Sequence, residues 1–185
     1  MKNSFIILIL TLAILIFTSL GKVSAQAYRY QSIGIYNLSE LHIGYGLQGD
    51  VEPNEIGFTG LSTLAGYTFS QSFAAGLGVG FLAYNGSNAI PLYLEGGYYF
   101  KNFGLGKMRF FVKADAGILI KLNGDISPTR FLGNPSAGML VPVARHKEVS
   151  VSLGIFTQYD PDKLANTQQK QLTNFINAKI GLRLY

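Results

Sequence analysis

Beyond residue 30 the chain alternates apolar residues with polar or small ones at a period of two. No apolar stripe at helical spacing competes with that pattern. Eight blocks carry it, separated by turn residues. In the first, Leu41, Ile43, Tyr45 and Leu47 oppose Glu40, His42, Gly44 and Gly46. In the second, Leu61, Thr63, Ala65, Tyr67 and Phe69 oppose Gly60, Ser62, Leu64, Gly66 and Thr68. The third sets Phe73, Ala75, Leu77, Val79 and Phe81 against Gly76, Gly78, Gly80, Leu82 and Tyr84, and the fourth sets Leu92, Leu94, Tyr98 and Phe100 against Tyr93, Glu95 and Tyr99.

The second half repeats the arrangement. Phe110, Val112, Ala114, Ala116 and Ile118 oppose Arg109, Phe111, Lys113, Asp115 and Lys121. Phe131, Ala137, Met139, Val141 and Val143 face away from Ser136, Gly138 and Leu140. Val149, Val151, Leu153 and Ile155 face away from Ser150, Ser152, Gly154 and Gln158. The last block opposes Ile176, Ala178, Ile180, Leu182 and Leu184 to Asn177, Lys179, Gly181 and Arg183. Each block is ~10 residues, the length a tilted strand needs to cross a bilayer. Pro135 and Pro142 interrupt the sixth, where each loses a ladder donor and a bulge or a shortened strand is expected.

Alternation alone suits a soluble barrel as well as a membrane one, and the aromatics separate the two. With the chain entering at one end, Tyr67, Phe69, Phe73, Tyr98, Phe100 and Phe110 fall at that end of the apolar face. Tyr45, Phe81, Phe131 and Tyr159 fall at the other, with mostly Leu, Val, Ile and Ala between. Two aromatic girdles around an aliphatic band fit a lipid-facing exterior. Lipid cannot satisfy free amides, so strands inside it must close. The expected fold is all-β, a closed eight-stranded antiparallel up-and-down transmembrane β-barrel whose narrow interior is filled by side chains. Connections near residues 70–72, 101–107 and 145–148 then lie at the inner end. Those near 49–55, 85–89, 123–130 and 159–171 lie at the outer end and are mostly longer and more polar. Asn85-Gly86 reads as a turn and not as part of a glycosylation site.

Composition narrows the class further. Of 185 residues, 48% are hydrophobic and 14% charged, against roughly 25% charged in ordinary soluble domains. The absence of Cys excludes disulfides, thiolate metal sites and a lipidated N-terminal cysteine. A net charge of +5 without a basic cluster gives no reason to expect nucleic acid. Ahead of the alternating region, Lys2, the apolar run from Phe5 to Leu20 and the small residues Val23-Ser24-Ala25 form an expected signal peptide, cleaved after Ala25. Residues 1–25 are thus a signal peptide and residues 26–185 the barrel domain; losing Lys2 and Lys22 lowers the charge from +5 to +3.

The signal segment, the eight blocks and the closing run from Phe175 to Tyr185 together resemble small outer-membrane β-barrel proteins. The likeness is to the porin-like outer-membrane β-barrel domain family, with the architecture of the outer-membrane protein A transmembrane domain. It implies the outer membrane of a Gram-negative-type bacterium, with lipid and lipopolysaccharide as surroundings. It also implies insertion by the barrel-assembly machinery, which in that family reads a C-terminal strand ending in an aromatic. Here Tyr185 stands one residue out of phase with Ile176 to Leu184. No peptidoglycan-binding domain is expected after the barrel.

Candidate chemistry lies on the inward face. Glu40, His42, Glu95, Lys113, Asp115, Lys179 and Arg183 are expected to form a charge network that plugs the lumen, with Glu40 at the level of Arg183 and Glu95 facing Lys113 or Asp115. No metal site is expected, because His42 and His146 lie far apart and no close spacing supplies three ligands. His146, Glu148 and Ser150 invite comparison with outer-membrane lipid deacylases, but a turn histidine and a lumen-facing serine do not meet at a lipid ester. The expectation is a non-enzymatic envelope protein without a cofactor, whose outer loops touch a ligand that the sequence leaves unknown. The alternatives are a narrow pore, a lipid A-modifying enzyme and a secreted lipocalin-like carrier.

Overall fold

The computed structural model describes residues 33–47, 56–100, 108–122, 130–160 and 172–185. The expected signal peptide, its cleavage site and most of the longer connections lie outside these residues. The described residues form eight strands: β1 (Gly34–Gly46), β2 (Gly57–Thr68), β3 (Phe73–Tyr84), β4 (Asn88–Tyr99), β5 (Arg109–Lys121), β6 (Arg130–Ala144), β7 (Lys147–Tyr159) and β8 (Leu172–Leu184). Each pairs antiparallel with the next, and β8 returns to β1, with Leu41 opposite Ile180, to close the barrel. Closure leaves no edge, so every strand finds its ladder partners within the sheet. The strands run 12 to 15 residues, longer than the alternating blocks alone suggest.

Burial follows the sequence alternation strand by strand. In β1 the odd-numbered residues from Ile35 to Tyr45 are exposed while Tyr36, Leu38, Glu40, His42 and Gly44 are buried. The exposed set is mostly apolar, with Leu77 67% exposed and Leu61, Leu94 and Leu153 each 62% exposed, but it includes a hydrogen-bonded polar cluster of Asn37, Ser39 and Thr63. The buried set includes Glu40, Glu95, Lys113, Asp115, Lys179 and Arg183. This molecule is turned inside out relative to a water-soluble barrel, where such a pattern would leave the apolar band in water.

Turn chemistry explains the short connections. Between β2 and β3, the Ser70 hydroxyl accepts the amides of Ser72 and Phe73 at 3.2 and 3.1 Å. Between β3 and β4, Gly86 holds φ at 103° in Asn85-Gly86-Ser87, and the Tyr84 amide donates to Ser87 at 2.8 Å. The β6–β7 turn is shorter than the sequence suggests. Arg145 and His146 make it, and Glu148 belongs to β7.

Prolines mark the irregular places. The β6–β7 register shifts between Pro142 and Ala144, a bulge, and the same ladder skips Asn134 and Pro135. Strand β6 absorbs both without shortening, at 15 residues. Pro91 does likewise in β4, where the β3–β4 ladder skips Ile90 and Pro91.

Candidate functional site: a filled lumen

Strand phase brings the inward side chains together in three storeys. The middle one is ionic. Glu40, Glu95, Lys113, Asp115 and Lys179 all sit near mid-strand, on β1, β4, β5 and β8. Lys113 donates to Glu40 Oε1 at 2.9 Å and lies 2.8 Å from Glu95 Oε2. Lys179 donates to Asp115 Oδ2 at 2.6 Å and stands 3.9 Å from Glu40 Oε2. Asn134 Nδ2 donates to the same Asp115 oxygen at 2.9 Å, and Ser150 donates to Glu40 at 3.4 Å. In an eight-strand ring β1 and β5 lie opposite each other, so the Lys113–Glu40 bond crosses the whole bore.

Two members stand apart from the ionic storey. His42 is buried in the lumen, but its Nε2 bonds the Ser62 hydroxyl at 2.7 Å and, among the described residues, no carboxylate. Arg183 does not lie level with Glu40, contrary to the expectation from chain order. The β1–β8 register sets Glu40 opposite Gly181 and Leu38 opposite Arg183, a two-residue offset that puts the guanidinium in the next storey. There it stacks on Tyr36 at 3.7 Å, with Tyr185 and Tyr99 at 4.9 and 5.0 Å, and donates to Thr68 Oγ1 at 2.9 Å. Among the described residues it makes no ion pair with a carboxylate.

This terminal-end storey contains groups that the sequence reading left out of the network. Arg109 donates to both Glu148 oxygens, at 2.7 and 3.0 Å. The Tyr185 hydroxyl donates to Glu148 Oε2 and accepts from Arg109 at 3.3 Å. Burial pushes the Tyr185 phenol above its ordinary range, which keeps it a donor. The out-of-phase terminal aromatic therefore turns inward over the lumen mouth. Parity with Ser150 and Ser152 places Glu148 inward, although it falls within the expected connection at residues 145–148.

At the opposite end the lumen is aromatic. Phe58 lies 5.3 Å from Tyr84, 5.1 Å from Phe156 and 5.3 Å from Phe175 between ring centroids. Gln158 donates to the Tyr84 hydroxyl, and Arg130 bonds Asp160 at 2.9 Å and Gln158 at 3.1 Å above the rings. Glycine makes the filling possible. Phe58 and Tyr93 lie across their own cross-strand partners, Gly44 and Gly78, where a Cβ would overlap each ring.

On the exterior, Phe73 packs on Tyr98 at 5.0 Å, Tyr98 on Phe100 at 5.1 Å and Tyr67 on Phe69 at 5.2 Å. With Phe110 they line an arc over β2 to β5 at the terminal end, instead of a full ring. Tyr45, Phe81, Phe131 and Tyr159 mark the other end from β1, β3, β6 and β7. An aliphatic outer face bounded by aromatics, over a sealed polar interior and a sheet without edges, is the arrangement a bilayer demands.

The chain has the fold of a small transmembrane β-barrel. No family model and no curated protein matches the sequence. Solved structures do match the barrel. The crystal structure of Neisserial surface protein A aligns with a TM-score of 0.54 at 12% identity, covering 82% of this chain and 96% of that one. The outer membrane protein OprG from Pseudomonas aeruginosa aligns with a TM-score of 0.50 at 9% identity, covering 82% of this chain and 95% of that one. At such identities the likeness is one of fold.

The chemistry available inside the barrel is that of buried ion pairs. Glu40, Glu95, Asp115 and Glu148 balance Lys113, Lys179, Arg109 and Arg183, so the lumen's formal charges cancel. Ser150 faces this interior, whereas His146 is exposed in the β6–β7 turn. Among the described residues no group of three His, Asp or Glu side chains is placed to hold a metal ion.

Proposed function

We propose that this chain is a protein of the outer membrane of a Gram-negative-type bacterium, exported through its N-terminal signal segment. Its barrel is a plugged, non-enzymatic scaffold with a structural and surface-interaction role. The observation that carries this reading is the Lys113 ammonium held between Glu40 and Glu95 across the bore. Opening a water path there requires parting buried opposite charges, which costs several kcal/mol. Lipid and lipopolysaccharide surround such a scaffold, the barrel-assembly machinery inserts it, and its outer loops meet whatever partner it has. Planar-bilayer recordings of the purified protein test the reading. A flat trace without conductance steps supports it, and discrete reproducible steps overturn it in favour of a narrow pore. Lipid A mass spectra unchanged by overexpression are expected as well; a new lipid A species would return the enzyme reading.

A further inference from the structure

The two ends of the barrel differ in charge. The acids that lie between strands, Asp50, Glu52, Glu55, Asp125, Asp160 and Asp162, all belong to connections at the end away from the termini. The connections between strands at the terminal end hold no acid. Residues 69–72 are uncharged, residues 100–108 carry Lys101 and Lys107, and the β6–β7 turn carries Arg145, with Lys147 directly after it. Arg145, His146 and Lys147 are all exposed, and their side chains make no ion pair among the described residues. The neighbouring acid Glu148 is turned inward and taken by Arg109 and Tyr185.

The exterior beside this turn is equally distinctive. The aromatic arc of the terminal end stops at β5. From β6 round to β1 the outward residues at that end include Val141, Val143, Val149, Leu184 and Ile35, with Asn37 of β1 opposite Leu184 and bonded to Thr63 at 3.1 Å. A mainly aliphatic sector capped by exposed cations matches an amphiphile with acyl chains below and an anionic headgroup above. Long basic side chains at a membrane boundary lay their stems on apolar surface and extend their charge to the headgroups. Their attraction to anionic lipid is strongest within a Debye length of the surface.

We propose that the β6–β7 turn, with Arg145 and Lys147, is a docking surface for anionic phospholipid headgroups of the leaflet at the terminal end. The acyl chains of that lipid lie along the aliphatic sector from β6 to β1. The proposal rests on the transmembrane reading, and the experiment separates the two. Wild-type protein is refolded into phosphatidylcholine bilayers, and insertion is scored by the mobility difference between boiled and unboiled samples. Failure to insert there strikes the transmembrane reading itself. In the inserted protein, spin-labelled phosphatidylglycerol and spin-labelled phosphatidylcholine are compared as the immobilised lipid at the barrel surface. A preference for phosphatidylglycerol is expected, falling roughly fivefold for each cation removed in Arg145→Gln and Lys147→Gln. It should weaken at high salt, survive inorganic phosphate as competitor and return in Arg145→Lys. Equal retention of both labels by the wild type overturns the proposal, and so does a preference that the double glutamine variant leaves unchanged. A preference abolished by inorganic phosphate also contradicts it, because it marks a site for the free anion instead of a leaflet.

Discussion

Midway along the strands, Lys113 spans the bore between Glu40 and Glu95. A few residues further on, Phe58, Tyr84, Phe156 and Phe175 fill the same narrow space with rings. Both regions consist of buried side chains, but they fail in different ways. A ring contributes many weak contacts, so losing part of it costs in proportion to the hole left behind. A buried ion contributes a few strong ones, and its removal strands partners that water cannot reach. The ionic storey ties β5 to β1 across the lumen, while the aromatic storey packs ring on ring and ring on glycine.

Three single substitutions and one double variant sharpen that contrast. The largest effect is expected for Lys113→Met, which keeps the volume and leaves Glu40 and Glu95 without their shared cation. A loss of roughly 3–5 kcal/mol is expected, read by urea unfolding of the vesicle-inserted barrel followed by gel mobility. Gly44→Val comes next, because its side chain enters the space of the Phe58 ring. Overpacking of this kind costs about 1–3 kcal/mol, and Phe58→Ala in the same chain should recover part of the loss in a double-mutant cycle. The smallest is Phe175→Leu in the aromatic storey, expected below about 1.5 kcal/mol in the same assay. Equal losses in Lys113→Met and Phe175→Leu would abolish the distinction between the storeys.

The sequence made the wall legible and the interior only in part. Period-two patterning places Leu77, Val112 and Leu153 outside and Glu40, Glu95 and Lys113 inside, because a strand has only two faces. Which inward residues meet is a different question. Neighbours on adjacent strands depend on register, and the two-residue offset between Glu40 and Arg183 is invisible to chain order. Partners across the bore depend on closure, so the bond between Lys113 and Glu40, 73 residues apart, follows from no local pattern. Glu148 was hidden by the length assigned to a turn. Phe58, Phe156 and Phe175 share parity with Gly60, Gly154 and Asn177, which places them inward, but as aromatics they are indistinguishable by type from the girdle residues.

The central claim is that the exposed aliphatic face meets acyl chains while the charges stay sealed within. The chain contains no cysteine, so single cysteines can be placed at Leu77, Val112 and Leu153 and labelled with a nitroxide in the vesicle-inserted barrel. Power saturation should find all three labels accessible to oxygen and shielded from a water-soluble nickel chelate. Ready collision of the chelate with those three labels would put the apolar face in water and contradict the account.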